Sequence, residues 1–255
     1  ASDVYKRQGK FQNGRSGERT RKLLVVVQYT ASMILLCGTL IVFAQLNYMR
    51  RQSLGVRTDR ILVVKFPGPT EGMKIKMEAM RKAIRKLPLV SKVTCSGSVP
   101  GEEVAMFLSN RRTHDALKQN RLYEMLSCDP DYMDAYGLEL VAGRGFSEDY
   151  GDDVNKLVIN ETAARTLGYT DYESVIGEEI SVETIEEPMQ VIGVVKDYHQ
   201  QALNRNYTPI MLFHKDKIDW IPQRYISIVM KPGDSLELVS QISEIWTTYF
   251  ADSSF

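Results

Sequence analysis

Between Leu23 and Leu46 the chain reads LLVVVQYTASMILLCGTLIVFAQL, 24 residues without a charge or a proline. As a helix rising about 1.5 Å per residue, such a run reaches roughly 36 Å, enough to cross a hydrocarbon core of about 30 Å with some tilt. Its polar members, Gln28, Thr30, Ser32, Thr39 and Gln45, are neutral and cost little in lipid beside a charge. The run exceeds the roughly 7–15 apolar residues of a signal peptide, and no A-x-A site follows it, so the pattern predicts a membrane span. Ser32, Gly38, Thr39 and Ala44 would allow close contact with other membrane helices, and have no such use in a single span. Lys6, Arg7, Lys10, Arg15, Arg19, Arg21 and Lys22 precede the span, while Arg50, Arg51, Arg57, Arg60 and Lys65 follow it. The more basic side stays cytoplasmic, which places the N-terminus inside by a narrow margin and residues after about 48 outside.

Beyond the span the periodicity alternates between strand and helix. Asn47–Arg60 predicts a helical continuation and a turn at Leu54-Gly-Val56. Ile61–Phe66 predicts a strand closed by Pro67-Gly-Pro69, and Met73–Leu87 a helix with an apolar stripe, ended by Pro88. Val90–Ser96 predicts a second strand, completing a βαβ-type unit. Met106–Leu117 shows no clear period, and Arg111-Arg-Thr-His114-Asp reads as a solvated loop. Further strands are expected at Leu122–Ser127, Leu157–Ile159, Glu179–Val182, Met189–Lys196 and Tyr225–Met230. Asp129–Gly137 reads as a short helix with an aspartate cap, Asn160–Gly168 as a capped helix ending on glycine, and Leu236–Tyr249 as a final helix. Gly143-Arg-Gly145 is a turn by composition.

Composition adds little to this picture. With 32 basic and 32 acidic residues in 255, the bulk charge gives no indication of a nucleic-acid partner. Cys37, Cys95 and Cys128 form no CxxC and no metal-ligand spacing; they read as three unconnected thiols, with a Cys95–Cys128 disulfide as the alternative in an oxidising compartment. There is no phosphate loop, HExxH, GxSxG or GxGxxG after a strand, and His114, His199 and His214 stand far apart. Asp129, Asp131 and Asp134 lack the glycine and distal glutamate of an EF-hand. No catalytic, cofactor or metal site is therefore expected.

The stretch Val191-Ile-Gly-Val-Val-Lys-Asp-Tyr-His-Gln200 carries the densest chemistry. Lys196, Asp197 and His199 can be read as an acid/base group of a membrane-anchored hydrolase, or as the place where a core strand runs out into a turn. The second reading needs no activating neighbours. It makes Gly193 a point of close packing or a bulge and Asp197 a cap on the turn's backbone N–H groups.

Leu24–Val42, Gln45-Leu-Asn-Tyr-Met49, Leu54-Gly-Val56, Ser98-Val-Pro-Gly101, Tyr136–Phe146, Val158-Ile-Asn-Glu161 and Val191–His199 occur in one order along the chain. In this series the chain resembles MacB/FtsX-type ABC transporter permeases, in the form common in Bacteroidetes. The resemblance implies an α+β fold: an N-terminal transmembrane helix followed by a two-lobed extracytoplasmic domain. In that domain a β-rich lobe is inserted into a split βαβ membrane-proximal lobe. It sets the expected divisions at a cytoplasmic basic lead-in 1–22 (1–8 non-native), a span 23–47, a membrane-proximal lobe 48–100 with 205–255, and an insert 101–204. Lys196, Asp197, Tyr198 and His199, with Gly193, then fall at the lobe junction, and Ser32, Gly38, Thr39 and Ala44 acquire partner helices. Further membrane helices are implied, so the chain reads as one segment of a longer permease. The implied function is non-catalytic: an ATP-binding subunit supplies energy, and the extracytoplasmic domain transmits the resulting movement to export or efflux. Implied partners are that subunit, the remaining permease helices, a second copy or second permease, and a periplasmic protein. The alternative is a single-span tethered binding or sensor domain that needs no ATPase.

Overall fold

The computed structural model describes residues 15–51, 54–68, 72–114, 119–150, 153–218 and 223–250. The expectation that residues 1–8 are non-native lies outside them. The chain divides into two units, residues 1–52 and 53–255.

In the first unit, α1 (Arg15–Arg51) is one helix of 37 residues. Its segment Gly17–Met49 is long and apolar enough to cross a membrane, and no protein buries it. The Ser32 and Thr39 hydroxyls donate to the carbonyls of Gln28 and Leu35 at 2.9 and 2.8 Å, so neither enters an apolar phase unsatisfied. At 3.6 residues per turn these two lie about 20° apart, but Gly38 lies about 100° and Ala44 about 140° from Thr39. The four positions do not form one stripe. Gly38 instead opens a shallow groove edged by Ile34, Leu35, Thr39 and Val42.

The second unit begins with the expected β1 (Ile61–Lys65), α2 (Met73–Arg85) and β2 (Val90–Ser96). The chain returns much later as β10 (Tyr225–Met230), which inserts antiparallel between β1 and β2, followed by α5 (Ser235–Tyr249). The α5 start is fixed by Asp234, whose carboxylate accepts the Leu236 and Glu237 amides at 2.9 and 3.3 Å. The two helices cover one face of the three strands, and Met80, Ile84, Val93, Ile226, Ile228, Ile242 and Trp246 form the core between them.

The intervening chain closes on itself. β3 (Phe107–Arg112), β4 (Arg121–Cys128), β6 (Lys156–Asn160), β7 (Glu179–Val182), β8 (Met189–Val195) and β9 (Ile210–His214) pair in the circular order β4-β3-β7-β8-β6-β9. β9 then runs parallel to β4 from Glu124↔Ile210 to Cys128↔His214, sealing a six-stranded barrel. Along the staves, side chains alternate as a barrel requires. Tyr123, Met125, Leu157, Ile159, Met211 and Phe213 fill the interior. Leu126, Cys128, Val158, Ile210 and Leu212 face out against the short helix α3 (Tyr132–Tyr136) and its neighbours. A second short helix, α4 (Glu161–Leu167), is capped by Asn160 and stopped by Gly168 at φ 98°.

Three expectations are corrected. The Met106–Leu117 region contains a strand: Arg111 and Arg112 pair with Ser181 and Ile180, because β3 is a stave whose outer face is polar. Gly143 ends a strand, β5 (Leu140–Gly143), that pairs with β8. Asp129 does not cap α3; the residue at that position is Asp131, without a side-chain cap bond. β9 hydrogen-bonds to β4 and β6, and the chain returns to β1 and β2 with β10, at the strand expected over Tyr225–Met230. Cys95 and Cys128 are both buried and free, and Cys37 is exposed and free.

Candidate functional site

Where β8 leaves the barrel, the backbone first passes through a bulge. Met189 and Val191 point inward, but beyond the bulge Val194 does so, while Ile192 and Val195 pack outward. The shift falls at Gly193, where the register against β6 skips from Val191 to Gly193. A side chain there would be impossible without backbone movement: a Cβ on Gly193 would stand 2.1 Å from the Arg144 carbonyl oxygen, and one on Gly143 would stand 2.2 Å from that of Ile192. Two glycines thus let β5 and β8 interlock.

The four residues after the strand go to four separate places. Lys196 extends to Glu139 at 3.1 Å, an exposed pair of little energetic weight. Asp197 accepts hydrogen bonds from the Thr162 amide at 2.9 Å and the Thr162 hydroxyl at 2.8 Å, and pairs with Arg165. The expected role of Asp197 as a cap on its own turn is corrected: the backbone N–H it satisfies belongs to the first turn of α4. Glu161 reciprocates by accepting the Asp197 amide at 3.0 Å. Tyr198 is fully buried among Tyr132, Leu126 and Val195. The His199 ring lies against Tyr207, with centroids 4.6 Å apart. Lys196, Asp197 and His199 therefore share no focus at which a substrate could react.

What the segment does hold is the beginning of the folded unit. The His199 amide donates to the Leu54 carbonyl at 2.9 Å, and the Arg57 amide to the Tyr136 carbonyl at 2.6 Å. Between them Gly55, at φ 74°, lies so close that a Cβ would be 3.1 Å from the Tyr198 Cα. Val56 packs against the same outer-barrel cluster as Tyr198. Leu54–Arg57 is thus latched to α3 and to the β8 exit before the chain enters β1.

Gln200 makes the next attachment. It is buried, and its Nε2 donates to the Ser98 hydroxyl (3.2 Å) and to the carbonyls of Val99 (2.8 Å) and Glu102 (3.0 Å), while its own carbonyl accepts the Gly101 amide at 2.8 Å. The Ser98-Val-Pro-Gly101 turn, where the chain leaves β2 for the barrel, is therefore clasped by the residue that ends the Val191–Gln200 stretch.

A second fastening was hidden in Asp129. Its carboxylate is fully buried, accepts the Cys95 amide at 2.9 Å and the Thr94 hydroxyl, and lies 3.5 Å from the Arg81 guanidinium on α2. Burial pushes this carboxyl up, against the opposing pull of Thr94, Arg81 and the Cys95 amide. Arg81 also reaches Asp131 at 3.2 Å and Glu78 at 3.4 Å. Removing one partner from such a group leaves a buried charge uncompensated. Nearby, the Tyr136 hydroxyl and Ser227 of β10 share a buried hydrogen bond of 2.7 Å. The sequence signal for Asp129 was its position directly after a strand, which equally suits a helix cap; Gln200 carries no signal of its own.

Among the described residues, no group of three or more His, Cys, Asp or Glu side chains is placed to hold a metal ion. No curated protein matches the chain. The crystal structure of the periplasmic region of MacB from Actinobacillus actinomycetemcomitans superimposes with a TM-score of 0.52 at 17% identity, covering 76% of this chain and 85% of that one. A domain of a protein designated a permease from Porphyromonas gingivalis gives 0.52 at 22% identity, over 76% of this chain and 85% of that one. The extracellular domain of the ABC-type transporter YknZ from Gram-positive bacteria gives 0.51 at 16% identity, over 75% and 94%. Residues 30–244 match the model of the MacB-like periplasmic core domain, and the chain belongs to that family of ABC-transporter permease domains.

Proposed function

We propose that the unit after α1 is the extracytoplasmic, force-transmitting domain of an ABC permease. In this reading α1 spans the inner membrane with its N-terminus in the cytoplasm. A separate ATP-binding subunit acts on α1 and the remaining permease helices, and a second copy or a second permease completes the assembly. The β1-β10-β2 sheet with α2 and α5 is the membrane-proximal lobe, and the barrel is the inserted lobe that meets a periplasmic protein or substrate. The work is conformational, and hydrolysis takes place on the other subunit.

One observation carries the reading. The first described residues after α1 are fastened to the middle of the folded unit in sequence, with Leu54 on His199 and Arg57 on Tyr136. A pull on Leu54–Arg57 is delivered to the barrel and α3 directly as well as to β1. Rigid-body movement of a domain about a few fixed attachments is a standard route for conformational coupling.

The test uses the complete permease with its ATPase, spin-labelled at Lys82 on α2 and Glu186 in the β7–β8 turn. Trapping the ATPase dimer in its ATP-bound form is expected to change the distance distribution between the labels. Identical distributions in the trapped and nucleotide-free states would sink the proposal.

A further inference from the structure

We infer that Arg57, Arg60 and Lys231 form a site for the phosphodiester headgroup of an anionic phospholipid. The inference rests on the reading of α1 as a membrane span.

Arg57, Asp59, Arg60, Val229 and Met230 line an open cleft of about 620 Å³. A neighbouring cleft of about 340 Å³ shares Arg60 and Met230 and adds Lys231, Leu89 and the start of α5. Neither guanidinium has an ion-pair partner among the described residues, whereas Arg81, Arg144 and Arg165 are all paired. Lys231 spends one donor on the Pro88 carbonyl at 3.1 Å and keeps two. Planar guanidinium groups with free N–H forks match phosphate oxygens. Asp234 lines the smaller cleft, where its Oδ1 accepts the first amides of α5, and it forms no ion pair with Lys231 among the described residues.

The backbone at this place is irregular in two respects. Arg60 sits at φ 57°, one of two non-glycine residues with positive φ among the described residues. Its carbonyl accepts the Met230 amide at 2.8 Å, at the point where the β10 register against β2 shifts between Val229 and Met230. A left-handed conformation is uncommon for a residue other than glycine, asparagine or aspartate, and such positions cluster where a chain is shaped for a ligand. Here that conformation sets Arg60 at the boundary of both clefts, beside apolar Val229, Met230 and Leu89.

The lipid source follows from chain position and charge. Arg57 and Arg60 follow the last residue of α1 by six and nine positions, a tether of at most roughly 22 and 32 Å. Basic residues on the outer flank of a span also run against the usual orientation bias, and anionic headgroups offset that cost. Asp59 lines the larger cleft and has no ion-pair partner among the described residues, so its removal should strengthen binding.

The experiment places the full chain in nanodiscs of phosphatidylcholine, with and without about a third phosphatidylglycerol, and follows amide hydrogen exchange. Phosphatidylglycerol is expected to slow exchange at residues 57–61 and 229–233 at least threefold. The effect should disappear in the Arg57→Gln/Arg60→Asn variant and grow in Asp59→Asn. Asparagine tolerates the left-handed backbone at position 60, which keeps the fold. Barrel exchange at residues 157–159 serves as the folding control. No local protection in the wild type, or equal protection in the arginine variant, overturns the proposal. Equal protection from inorganic phosphate in phosphatidylcholine discs overturns the lipid source. Loss of the chain from carbonate-washed membranes is a separate readout and marks failure of the span reading instead.

Discussion

Gly193 and Gly145 belong to neighbouring glycine motifs but differ in what a methyl group would meet. At Gly193 the obstacle is the Arg144 carbonyl at 2.1 Å, which cannot move without breaking the β5–β8 pairing. At Gly145 it is the flexible Met133 thioether at 3.2 Å. Gly193→Ala should destabilise by roughly 3–4 kcal/mol and Gly145→Ala by less than about 1 kcal/mol, as read from denaturant midpoints. Arg144 supplies a second test at this scale. Its guanidinium makes two 2.8 Å bonds to the buried Asp153 carboxylate. Those bonds, with the Ser147 amide, hold the Asp153 carboxyl below its usual value. A depressed carboxyl stabilises the fold above its unfolded pKa, near 3.9, and loses that contribution as pH falls through the lower folded value. Arg144→Gln should therefore cost about 2 kcal/mol at neutral pH, and less as pH drops below about 4. A difference in unfolding free energy that stays constant from pH 7 to pH 3 would refute the assignment.

At the level of elements, the pattern of apolar residues was most readable where neighbours in sequence are neighbours in space. The β1–α2–β2 unit and α5 follow directly from stripe and alternation. β3 was unreadable because FLSNRR offers one buried side chain, Asn110, in six positions. That residue points inward, where it donates to the Met125 and Met211 thioethers at 3.2 and 3.3 Å. Barrel closure was also invisible, since the parallel β4–β9 ladder joins residues about 85 positions apart and no local pattern encodes it. The stretch Val191–Gln200 was legible as a strand and an exit, but its polar side chains could not be assigned partners at a distance. Asp197 shows the consequence. Asp197→Ala removes the acceptor for the Thr162 amide and the partner of Arg165, and should cost about 2 kcal/mol. The loss should concentrate in α4, as faster amide exchange over residues 161–167, while the exchange of β4 stays unchanged.

For the whole molecule, the proposed function makes the number of fastenings decide how movement would propagate. Between the β1-β10-β2 sheet and the barrel, strand pairing among the described residues is limited to Ser96↔Cys128. Backbone bonds from the Gly97 amide to Ser127, the Asp129 amide to Cys95 and the Gly101 amide to Gln200 flank that pair, and side chains add to the joint: Asp129 with Thr94 and Arg81, Tyr136 with Ser227, and Gln200 with the Ser98–Gly101 turn. A joint of that kind can be altered at one attachment without unfolding either side. Gly55 is the place to do so. Its Cβ would press on the Tyr198 backbone at 3.1 Å, and its φ of 74° disfavours a branched residue, so Gly55→Val should detach Leu54–Arg57 from the barrel. The barrel core, which Gly55 does not enter, keeps its packing. In the complete permease the separate ATP-binding subunit should still hydrolyse ATP, yet the Lys82–Glu186 label distance in the variant should no longer respond when the ATPase dimer is trapped. Faster exchange of the His199 and Arg57 amides would show independently that the latch had opened. If those amides open and the distance still shifts as in the wild type, force enters through β1 alone, and the latch is a structural tie rather than a transmission element.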